Sequence, residues 1–95
     1  MPGFNLANMP KDCTGGGIEC WCQKGPSSYA ELVNAEDLNA GYTNCLVSDS
    51  GTAAGSSSEC YGATCPSGSW VASNEFTTDE VEVTASDGAD CIAQC

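Results

Sequence analysis

The sequence predicts an α+β domain in which an antiparallel sheet, joined by one or two helices, is stapled by four disulfides. Three observations carry this. Eight cysteines are spread along 95 residues, at Cys13, Cys20, Cys22, Cys45, Cys60, Cys65, Cys91 and Cys95, a density typical of small secreted scaffolds. Two stretches, 18–23 and 80–85, alternate with the period of a half-buried strand. Between them, Ser28-x-x-Glu31 is a capping box, in which the serine oxygen accepts an orphan amide proton and the glutamate reaches back.

The length makes one domain, because two halves would each be too small to hold a core. Residues 1–12 are expected to be an irregular N-terminal arm, since they carry two prolines and no periodicity. Residues 13–95 form the single stapled domain. Ile18-Glu19-Cys20-Trp21-Cys22-Gln23 is a strand with Ile18, Cys20 and Cys22 on one face and Glu19, Trp21 and Gln23 on the other. The helix opened by Ser28 is expected to run from Tyr29 to about Ala40, burying Leu32, Ala35 and Leu38 and stopping at Gly41. Thr43 to Val47 reads as a short strand tethered by Cys45.

Ser48 to Glu59, rich in serine, glycine and alanine, reads as an exposed loop. Cys60 to Cys65 is expected to carry a short edge strand. Ser69 to Phe76 has β character, with Trp70, Ala72 and Phe76 on one face. Glu80 to Ala85 is a strand with Val81, Val83 and Ala85 inward and Glu80, Glu82 and Thr84 outward. Ser86 to Ala89 reads as a turn, and Cys91 to Cys95 as a cysteine-anchored tail.

Charge is one-sided: thirteen carboxylates face only Lys11 and Lys24, for a formal charge of −11. So few cations cannot neutralise phosphates, which excludes nucleic acid as a partner, and an anionic membrane surface repels the chain. No apolar run approaches the ~18 residues of a membrane-spanning helix. Residues 1–11 lack the basic and apolar segments of a secretory leader, and the reading expects one to have been removed. No N-glycosylation sequon is present.

Histidine is absent, so Ser-His-Asp and Cys-His arrangements cannot be built from this chain. Each cysteine has a prospective partner, leaving no thiolate nucleophile. The pair Glu80 and Glu82 has the residue type of a glycosidase, but on a solvated strand face it lacks the burial that raises one carboxyl pKa. Asp87-Gly88-Ala89-Asp90, with Asp79 and Glu82, could offer oxygen ligands to calcium but lacks the EF-hand pattern. Zinc would prefer paired C-x2-C or C-x4-C ligands with histidine, and no metal and no cofactor is expected. These features exclude the common catalytic constellations, and the expectation is a protein that is not an enzyme.

Trp21, between two bridged cysteines, points away from the bridge side of its strand. If that face is open, Trp21 is an anchor for a partner or a sugar ring. Tyr61 and Trp70 are the other candidate binding aromatics. Eight cysteines admit on the order of a hundred pairings, so connectivity stays open at this point.

The segment Gly17-Ile18-Glu19-Cys20-Trp21-Cys22, the glycine-proline-serine lead into one helix, the serine-glycine loop and the terminal cysteine pair together resemble the small secreted cysteine-rich proteins of filamentous fungi. That group includes candidate effectors of plant pathogens. Over residues 15–95 the order of elements is also similar to the subunits of the corn-smut viral killer toxin called killer protein six. The resemblance implies an α/β sandwich with the helices packed on one face of the sheet. It further implies a secreted monomer that binds an unidentified host or microbial protein or glycan in the apoplast, with virulence or antimicrobial action. A carbohydrate-binding module or an enzyme inhibitor of the apoplast is the alternative. Hydrophobins are excluded because this chain has no adjacent Cys-Cys doublets.

Overall fold

The computed structural model describes residues 3–11, 18–47, 64–73 and 79–95. In chain order they form β1 (Leu6–Pro10), β2 (Ile18–Gln23), α1 (Tyr29–Asn34), β3 (Tyr42–Leu46), β4 (Val71–Ala72), β5 (Glu80–Ala85) and α2 (Gly88–Gln94). The strands make one antiparallel sheet in the order β4-β3-β1-β2-β5. The expected α+β class, an antiparallel sheet with one or two helices, is what the described residues form, with two helices.

The start of the chain departs from the expected irregular arm. Leu6–Pro10 is the central strand, flanked by β2 and β3. Leu6, Ala7, Asn8 and Met9 are all buried. Because both faces are covered, the segment shows no inward-outward alternation to read. Pro10 is tolerated because β2 pairs only with Leu6 to Asn8, leaving Pro10 opposite Tyr42 of β3 at the strand's end.

The helix that Ser28 opens is shorter than its pattern. Ser28 Oγ accepts from Glu31 N at 3.3 Å, as a capping residue should. The helix ends at Asn34 because tighter bonds replace the next turn, with Ala35 N–H donating to Leu32 O and Glu36 N–H to Val33 O. Asp37 then leaves the axis: its N–H donates to Ala72 O of β4, and its side chain accepts from Asn39 N. Leu32 is buried, but Ala35 is exposed and Leu38 is 74% exposed, so the expected apolar stripe stops at one residue.

The expected anchored tail is a helix. Asp87 caps it, its Oδ1 accepting from Asp90 N at 2.8 Å. α2 carries Cys91 toward Cys20, and Cys95 follows it toward Cys22. A third bridge joins Cys45 of β3 to Cys65. Cys13 and Cys60 lie outside the described residues, as does the segment 48–59 read as an exposed loop, and of the expected edge strand at 60–65 only Thr64 and Cys65 are described.

Register assigns the helices to opposite faces, against the one-sided packing that the resemblance implied. Ala7 lies opposite both Cys22 and Cys45, and these residues cluster with Met9, Cys20, Cys65, Ala85 and Cys91 beneath α2. Leu6 lies opposite Leu46, one pleat over, and clusters with Val71 and with Leu32 of α1. The two helices therefore cover alternate residues of the same strands. On the α1 side, Tyr29 stacks over Gly68, whose φ is +152° and where a Cβ would lie 2.6 Å from the ring. Tyr29 OH accepts from Ser69 N at 3.1 Å.

The α1 side also buries polar groups. Asn8 Nδ2 donates to Asn44 Oδ1 at 2.7 Å, and Asn44 Nδ2 donates to Ser73 O and Oγ. Both amides are buried, so the pair is favourable only while every member is matched. Asn44→Ala should lower stability by about 2–3 kcal/mol, because it strands the Asn8 amide, and a shift in the urea midpoint measures it.

The bridges predict a pattern of energies. Cys20–Cys91 and Cys22–Cys95 span 71 and 73 residues, almost the same loop. Once one is closed, the other removes little further chain freedom. Removing either as a double serine variant should cost about 2 kcal/mol, whereas removing both should cost about 7 kcal/mol, because only then is the long loop released. Additive losses in denaturant titrations would count against this account.

Candidate functional site

The sequence singled out Trp21, Trp70 and Tyr61 as binding aromatics, and the fold separates them. Trp21 lies opposite Asn8 on β1 and Glu82 on β5, on the α1 side of the sheet. Trp70 packs into the cluster beneath α2, on the other side. Tyr61 lies outside the described residues. A single binding platform built from Trp21 and Trp70 together is therefore not formed. Sequence alone could not reveal this, because the placement of Trp70 depends on how β4 pairs with β3.

Around Trp21 the pleat gathers one further set of side chains. Glu19, Trp21 and Gln23 of β2 face Thr84, Glu82 and Glu80 of β5. Trp21 is half-buried, and its Nε1 donates to Glu19 Oε1 at 2.6 Å. Glu19, Glu82 and Thr84 are exposed. Gln23 is 1% exposed, and its Nε2 donates to Glu80 Oε2 at 2.6 Å. Its Oε1 is buried without a partner, an uncommon state for a buried acceptor.

This surface is an indole ringed by carboxylates. A ring face surrounded by negative charge favours cations, through both Coulomb attraction and the quadrupole of the indole. The nearest cation in sequence, Lys24, is held at the end of the strand pair: its Nζ lies 2.9 Å from Asp79 Oδ2 and 6.0 Å from the Phe4 ring centroid. Sequence reasoning names Trp21 as a binding residue but does not name Gln23 and Glu19. Strand alternation already placed all three on one face.

The expected glycosidase pair divides between two environments. Glu82 is exposed, whereas Glu80 is half-buried against Gln23. The candidate calcium residues have local structural roles. Asp87 caps α2, and Asp90 Oδ2 accepts from Ser86 N at 2.9 Å and Gln94 Nε2 at 3.0 Å. The sulfurs of Cys20, Cys22 and Cys95 lie within 4.8 Å of one another, but all three are already bonded in the paired bridges.

Comparison with protein-family models, curated proteins and solved structures found no match for this chain.

The roles of the aspartates can be checked directly. Asp87→Ala should cost about 1 kcal/mol through loss of the cap, and calcium should leave the melting temperature unchanged in both proteins. A calcium-dependent rise that Asp87→Ala abolishes would instead point to a metal ligand.

Proposed function

We propose that this protein is secreted and acts outside the cell by binding a target, in the manner of a fungal effector or a killer-toxin subunit, without catalysing a reaction. The observation that carries the reading is the open surface around Trp21. An indole half-exposed on a sheet cross-braced by disulfides is a rigid anchor, which loses little freedom when a partner covers it. Three bridges among the described residues are the usage of extracellular proteins, and they support the proposed compartment. A radius of gyration of 11.6 Å is compatible with a monomer of this length, for which about 12 Å is usual.

The test uses fluorescently labelled, fully oxidised protein on intact host and microbial cells. Saturable binding is expected, with Trp21→Ala weakening it about tenfold or more while leaving the melting temperature within a few degrees of the parent. Leaf infiltration and microbial growth assays then tell a toxic outcome from a silent binder. Binding that fails to saturate, or that the Trp21 variant retains in full, overturns the reading.

A further inference from the structure

We propose that the outer edge of β5 accepts an extended basic segment of a partner protein as an added strand, with its cationic side chains lying on the Trp21 face. This deepens the functional reading above and rests on it, by naming the surface and the chemistry of the partner.

Among the described residues β5 pairs with β2 alone, and it ends the strand order of the sheet. Lys24 N–H donates to Asp79 O across that pair. Carried along the register, this places the ladder bonds at Cys22 with Val81 and Cys20 with Val83. The backbone groups of Glu80, Glu82 and Thr84 then turn outward. The Thr84 carbonyl confirms the direction, because Gln94 Nε2 on α2 reaches it at 3.1 Å. No described residue engages the N–H or C=O of Glu82 or the N–H of Thr84. Such a row of backbone groups is a template for strand addition.

Side chains select the occupant. On the Trp21 face the edge presents Glu80 and Glu82, with Glu19 and the Trp21 ring on the next strand. On the opposite face it presents Val81, 36% exposed, and half-buried Val83. A strand laid along this edge alternates its side chains in the same way. Its preferred sequence therefore alternates lysine or arginine with small apolar residues. A second copy of this chain is disfavoured, because like charges directly opposite one another repel and each chain carries −11. On the same face Gln23 Oε1 is buried with no hydrogen-bond partner among the described residues, while its own amide donates to Glu80.

The experiment uses the full oxidised protein and three short synthetic peptides: one alternating lysine and valine, the same peptide N-methylated at alternate amides, and a glutamate-for-lysine version. Amide hydrogen exchange followed by NMR is read at Glu82 and Thr84. The lysine peptide should slow exchange at both about tenfold, and added salt should weaken its binding. The N-methylated and glutamate peptides should bind at least about tenfold more weakly, and Glu82→Lys should weaken the lysine peptide about tenfold without changing the melting temperature. Unchanged exchange at these amides, equal binding of the N-methylated peptide, or indifference to Glu82→Lys overturns strand addition. If the peptides fail while labelled protein still binds cells through Trp21, this inference falls and the functional reading stands. If cell binding fails while the peptide arms succeed, the functional reading falls and the edge site stands.

Discussion

The paired bridges between β2 and α2 are the constraint on which the rest of this fold depends. Residues two apart on a strand share a face about 6–7 Å apart, and residues four apart on a helix are stacked about 6 Å apart. Cys20 and Cys22 thus match the spacing of Cys91 and Cys95. The match locks the last helix across a sheet face whose own side chains are small. Beneath α2, the buried side chains among the described residues are Ala7, Ala85, Met9 and several half-cystines. Sulfur supplies much of what packs there. The gain per bridge, about 2–4 kcal/mol, is a large share of the roughly 5–15 kcal/mol that holds a domain folded.

The other face is built on a different chemistry. Leu6, Leu32, Leu46 and Val71 make a compact apolar patch under α1. Beside it the sheet buries Asn8, Gln23 and Asn44. These amides must be matched to be tolerated, and Asn8 and Asn44 are, through Ser73. Toward β5 the polar character comes to the surface as carboxylates around Trp21. One sheet thus has a dry, cross-linked side that gives rigidity and a polar side that fades into an acidic edge.

The sequence was readable where one face of an element meets water. β2 and β5 alternate, and their bounds are those the alternation predicts, while the Ser28 cap marks where α1 starts. β1 was missed because Leu-Ala-Asn-Met is buried on both sides, which erases the alternation that marks a strand. α1 was overextended because Leu38 falls at a helical interval, although Asp37 turns the chain away by bonding to β4. α2 was read as a tail because serine, aspartate and glycine signal a turn. The Asp87-x-x-Asp90 cap and the four-residue spacing of Cys91 and Cys95 are nonetheless present in the sequence. Trp21 was legible from strand parity alone, whereas the placement of Trp70 required the pairing of strands far apart in sequence.

One consequence follows from how closely the two bridges lie. Cys20 Sγ, bonded to Cys91, sits 3.8 Å from Cys95 Sγ, which is bonded to Cys22. A swapped isomer, in which the partners trade places, needs little displacement of strand or helix and has the same mass, the same count of half-cystines and the same thiol titre. Oxidised preparations that look homogeneous on a balance of atoms can therefore be mixtures, and only linkage mapping of proteolytic fragments tells them apart.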